Sequence, residues 1–126
     1  MAKILLVEDH EPTAELIQMV LKPRGYEIVH TTDGSKAFEL ARTFMPELIL
    51  LDVMLPGLDG YGIQTKLLED EATRKIPILI TTSKLHVQEI FNTAPNVVGY
   101  VSKPFSVKEL IQQIENVLQG SKSRPA

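Results

Sequence analysis

Apolar and polar positions fall into two kinds of block along the chain. Short runs such as Ile4-Leu5-Leu6-Val7 and Leu48-Ile49-Leu50-Leu51 are continuously apolar, and both end in acid, at Glu8-Asp9 and at Asp52. Runs of that length, bounded by polar or turn residues, predict buried strands. Strands are expected over residues 3–8, 26–30, 47–52, 76–82 and 97–102. The segments between them carry helical spacing. Ala37, Leu40, Ala41 and Phe44 fall at i, i+3, i+4 and i+7, and Val107, Leu110, Ile111, Ile114 and Leu118 line up on one face near the C-terminus. Ser106-Val107-Lys108-Glu109 fits the capping box that opens such a helix. The first helix should begin near Pro12 and stop near Gly25. Weaker helical patterns follow Asp59-Gly60 and surround Val87, Ile90 and Phe91.

Five β units alternating with five α units predict an α/β fold, a mostly parallel sheet with helices on both faces and right-handed crossovers. In such sheets ligands gather beyond the carboxyl ends of the strands, where the winding reverses. Glu8, Asp9, Asp52, Thr82 and Ser102-Lys103 all stand at predicted strand ends of that kind. A buried carboxylate is costly unless something pairs with it. If the two acid-ended strands are parallel neighbours, three carboxylates converge, and a divalent cation with oxygen ligands would relieve their repulsion.

Composition narrows the field. With 126 residues, 44% hydrophobic and 23% charged, the chain fits one ordinary globular domain. Its net charge of −3 and its lack of a long basic block argue against direct nucleic-acid binding. There is no cysteine, which excludes disulfides, zinc–thiolate sites and thiol nucleophiles. No apolar run approaches the roughly 18–20 residues of a membrane span. Lys3 leads straight into a strand, unlike a secretory signal, so a cytoplasmic protein is expected. Residues 2–119 are expected to form the domain, with residues 120–126 a free tail or the start of a linker.

Four motifs now stand in order: Leu6-Val7-Glu8-Asp9; Leu50-Leu51-Asp52-Val53-Met54-Leu55-Pro56-Gly57 with Asp59-Gly60; Ile80-Thr81-Thr82-Ser83; and Tyr100-Val101-Ser102-Lys103-Pro104-Phe105. With them the chain resembles a response-regulator receiver domain, the phosphorylatable module of two-component and phosphorelay signalling. The resemblance implies a flavodoxin-like (βα)5 doubly wound fold, its five parallel strands in the order 2-1-3-4-5. It implies Asp52 as phospho-acceptor, since a carboxylate is a competent nucleophile toward phosphorus. It also implies Mg²⁺, or alternatively Mn²⁺, held at Asp52 by Asp9 directly, by Glu8 through a water and by the Met54 backbone carbonyl. Lys103 would contact the phosphoryl oxygen, and would pair with Asp52 before phosphorylation. The family's Lys-Pro bond is often cis; for Lys103-Pro104 the sequence leaves the isomer open. Thr82, 30 residues after Asp52, matches the switch hydroxyl, with Thr81 as the alternative. Tyr100, three residues before Lys103, matches its aromatic partner.

The chain departs from the family pattern in two places. Thr82 to Lys103 spans 21 residues, one fewer than is common, and Ala94-Pro95-Asn96 replaces the usual Gly-Ala. Met54 and Lys84 occupy positions that flank the path of the hydrolytic water in the family. His10, His30 and His86 are expected at the surface, and none resembles a phospho-donor histidine. The resemblance implies a sensor histidine kinase or phosphotransfer protein as donor and an output protein or fused output domain as receiver of the signal. The signal would leave through the fourth helix, fifth strand and fifth helix. A monomer or a phosphorylation-promoted dimer would suit that role, with neither membrane nor nucleic acid as a direct partner. Such a domain is no enzyme beyond assisting its own phosphorylation and dephosphorylation. Two other readings compete: a docking module that works without phosphorylation, and a phosphatase of the haloacid-dehalogenase type. The latter needs a second Asp two residues after the nucleophile, where this chain has Met54.

Overall fold

Parallel strands covered on both faces need apolar side chains at every position rather than every second one. The central strands of this chain are built that way. The computed structural model describes residues 2–52, 60–82, 94–104 and 106–123. Its strands are β1 (Lys3–Val7), β2 (Glu27–Thr31), β3 (Leu48–Asp52), β4 (Ile78–Thr82) and β5 (Val97–Ser102), and its helices are α1 (Glu11–Leu21), α2 (Ala37–Phe44), α3 (Gly60–Glu69) and α4 (Val107–Ser123). All strand pairs are parallel and the order is β2-β1-β3-β4-β5, the flavodoxin-like arrangement expected.

Every residue of β3 and β4 is buried, whereas the edge strands β2 and β5 are only partly so. Alternate side chains feed two cores. Leu5, Val7, Ile49, Leu51, Ile78 and Ile80 pack with Ala37 and Ala41 of α2 and Ile63 and Leu67 of α3. Ile4, Leu6, Leu48, Leu50, Leu79 and Val101 pack with Ile17 and Leu21 of α1 and Leu110 and Ile114 of α4.

Element ends follow local chemistry. β4 begins at Ile78 rather than residue 76, because Pro77 has no N–H for the ladder. α1 passes into a short 3₁₀ turn, Lys22–Arg24, which Gly25 ends at φ 93°. That left-handed backbone is one glycine adopts without strain. The Glu109 N–H donates to Ser106 Oγ at 3.0 Å, so the predicted cap opens α4. α4 continues through Gly120 to Ser123, into the stretch expected as a tail. The helical pattern around Val87, Ile90 and Phe91 lies outside the described residues, as do Met54, Lys84 and His86.

Candidate functional site

β1 and β3 are neighbours in register, Val7 opposite Leu51. Glu8 and Asp52 therefore leave the sheet side by side at its carboxyl edge. Both are almost fully buried, at 1% and 4% exposure, while Asp9 is exposed. One carboxylate oxygen from each of Glu8, Asp9 and Asp52 lies within 4.8 Å of the others. Opposite ligands of Mg²⁺ stand roughly 4.2 Å apart, twice its usual bond length. An all-oxygen set with three negative charges fits such a hard cation.

Lys103 enters from the far side, just past β5. Its Nζ donates to Glu8 Oε1 at 2.6 Å and to Asp52 Oδ2 at 3.2 Å. The expected Asp52 pairing is present, but the closer contact is to Glu8. Burial, and then the neighbouring Asp52 carboxylate, push the Glu8 carboxyl above its usual range, against the pull of Lys103 and the His10 N–H. Burial also disfavours the Lys103 ammonium, yet the Glu8 hydrogen bond and the Asp52 and Glu8 charges outweigh it and hold Lys103 above the ordinary lysine value. The Lys103–Pro104 bond is cis.

The remaining predicted residues occupy the β4–β5 side. Thr81 stands opposite Asp52 in the register and Thr82 opposite Ser102; both threonines are buried. Side chains alternate between faces, so Thr81 shares the face of Asp52. Thr82 shares the face of Tyr100, which is opposite Ile80. Tyr100 is half-buried against the core of α2 and α3, and burial raises its hydroxyl pKa. Met54, the expected carbonyl ligand, is outside the described residues.

Two residues acquire roles that sequence reasoning missed. His30, expected at the surface, is half-buried, and its Nε2 lies 2.9 Å from the Glu8 carbonyl oxygen. His10 contributes through its backbone, donating its N–H to Glu8 Oε2 at 3.2 Å. No local signal could have revealed the first contact, which joins residues 22 apart in sequence.

With this geometry in view, comparisons with known proteins agree with one another. The family model of the response regulator receiver domain matches residues 4–115. The chain is 32% identical over 126 residues to the DNA-binding dual master transcriptional regulator RpaA of Synechocystis sp.. That match covers 99% of this chain and 52% of RpaA, so the chain spans about half the length of that relative. Among solved structures, a response regulator from Chloroflexus aurantiacus superposes with a TM-score of 0.87 at 29% identity, covering 94% of this chain and 98% of that one. The receiver domain of the sensor histidine kinase PA1611 from Pseudomonas aeruginosa superposes with a TM-score of 0.85 at 30% identity, with the same coverage. That structure holds a magnesium ion coordinated in its active-site cleft.

Proposed function

This chain belongs to the response regulator receiver domain family, and from that premise we propose that it is a switch set by phosphorylation of Asp52. Receiver domains are signalling modules of two-component systems rather than classical enzymes. The observation that carries the proposal is the meeting of Glu8, Asp9, Asp52 and Lys103 at one sheet edge.

An Asp52 carboxylate oxygen attacks the phosphorus of a phosphohistidine on a sensor kinase or phosphotransfer protein. The phosphorus–nitrogen bond breaks and the imidazole leaves. Glu8, Asp9 and Asp52, with the Met54 carbonyl, are the residues that would hold Mg²⁺, or Mn²⁺ in its place. A bound cation supplies positive charge that offsets the phosphoryl oxygens. Lys103 exchanges its carboxylate contacts for a phosphoryl oxygen, a role suited to a compact ammonium. Thr82 donates its hydroxyl to another phosphoryl oxygen, and Tyr100 follows it inward. Their shared face of the sheet supports the coupling of Thr82 to Tyr100, and Thr81, on the face of Asp52, is the alternative donor. The change reaches partners through the expected helix around Val87–Ile90–Phe91, β5 and α4.

The length of RpaA supports an output domain fused beyond a receiver unit of residues 2–119, with residues 120–126 leading into it or forming a tail; a separate output protein would serve equally. Among the described residues no helix is long and apolar enough to cross a membrane. We place the domain in the cytoplasm, where it touches no nucleic acid itself, catalyses no turnover beyond its own phosphorylation and dephosphorylation, and works as a monomer or as a phosphorylation-promoted dimer. Incubation with acetyl phosphate and Mg²⁺, followed by reductive trapping and mass spectrometry, should map one aspartyl adduct to Asp52. Full labelling of Asp52→Asn would refute this.

A further inference from the structure

The ladder between β1 and β2 ends in an unusual way. The Glu8 N–H donates to the Thr31 carbonyl at 3.1 Å, as a parallel ladder requires. The next rung would run from the Asp33 N–H back to the Glu8 carbonyl. The Asp33 N–H instead donates to Thr31 Oγ1 at 3.1 Å, as the chain turns away into the Gly34–Lys36 turn. The donor the Glu8 carbonyl then receives is the imidazole of His30, at 2.9 Å. A carbonyl oxygen can only accept, so Nε2 carries the proton.

The Glu8 carbonyl and the Asp9 N–H belong to one rigid peptide plane. Fixing the carbonyl therefore fixes the direction in which the chain enters Asp9. Asp9 is the exposed member of the acidic cluster, whereas Glu8 and Asp52 are held by burial and by Lys103. We propose that His30 is a positioning residue of the cation site, its Nε2–H holding the Glu8–Asp9 peptide so that the Asp9 carboxylate meets those of Glu8 and Asp52. This rests on the acidic cluster being where the cation binds. The geometry gives the edge strand β2 a part in the chemistry that none of its carboxylates supplies.

The test is a Mg²⁺ titration of ¹⁵N-labelled protein without phosphodonor, followed through amide shifts around the cluster, with melting temperatures measured in parallel. His30→Phe keeps a ring and loses the donor; His30→Thr, a strand former too short to reach the carbonyl, serves if the phenyl ring does not fit. Loss of an outer-shell hydrogen bond typically weakens metal binding about tenfold or more, which is the expected loss in both variants at nearly unchanged melting temperature. His30→Gln, whose amide N–H can reach the same oxygen, should recover most of it. Unchanged affinity in the donorless variants, or a loss that His30→Gln does not recover, overturns the proposal. A wild-type chain that shows no Mg²⁺ response overturns the cation-site reading, and the role of His30 with it.

Discussion

Two groups of buried polar side chains lie at opposite ends of the strands, and they meet the cost of burial differently. Near the amino ends of β4 and β5, Gln64 of α3 donates from Nε2 to Asn96 Oδ1 at 2.8 Å, and Asn96 returns its Nδ2 to the Gln64 carbonyl at 3.2 Å. The Asn96 carbonyl also accepts from the Ile78 N–H at 2.7 Å. This pair is neutral and its groups satisfy one another, so it can join α3 to the turn before β5 without a ligand. At the carboxyl ends, Glu8 and Asp52 share one ammonium from Lys103 and carry Asp9 beside them. That group is hydrogen-bonded but left with excess negative charge. A buried cluster of this kind adds little to stability, and its imbalance is what a cation and a phosphoryl group can use. The neutral pair closes on itself, whereas the charged cluster keeps the imbalance that the proposed cation and phosphoryl group would use.

Substitutions should separate the two. The largest effect is expected from Asp9→Ala, which should abolish Mg²⁺-dependent labelling by acetyl phosphate without lowering the melting temperature, since it removes like charge from the cluster. Unfolding of that variant would make Asp9 a structural cap instead. Lys103→Met strands two buried carboxylates. Breaking a buried pair costs about 3–5 kcal/mol, and with the lysine side chain 21% exposed we expect about 2–3 kcal/mol in urea denaturation. The same variant should bind Mg²⁺ more tightly, because a competing cation is gone, while labelling falls.

Asn96→Ala should show the opposite pattern. It leaves the Gln64 amide without its acceptor and should cost about 2 kcal/mol, with labelling of Asp52 at the wild-type level. Loss of labelling there would mean that the two ends are coupled. Thr82→Ala should leave labelling of Asp52 largely intact. It removes one charge-assisted hydrogen bond, worth roughly 1.5–3 kcal/mol to the active state, so beryllofluoride should no longer shift the amides around Tyr100. If Thr81→Ala loses those shifts and Thr82→Ala keeps them, the switch runs through the threonine on the face of Asp52.

What the chain determined by itself is whatever local period and local chemistry can carry. Continuous apolar runs at Ile4–Val7 and Leu48–Leu51 specify strands covered on both faces, because alternation would leave one face polar. Ser106 and Glu109 specify where the last helix begins, because capping needs only neighbours three residues apart. Acids at the ends of two such strands, with Lys103 after a third, were enough to expect these side chains at one carboxyl edge, where they do meet. Tertiary structure alone decided which of these groups meet, and how closely. Lys103 lies 95 residues from Glu8 yet approaches it more closely than it does Asp52. Asn96, visible in the sequence only as part of an irregular segment, finds Gln64 32 residues away. His30 reaches the Glu8 carbonyl because the β1–β2 ladder stops one rung short, and where a ladder stops depends on strand register and on the turn that follows. Those contacts are set by the packing of the whole sheet against its helices, a property no single segment contains.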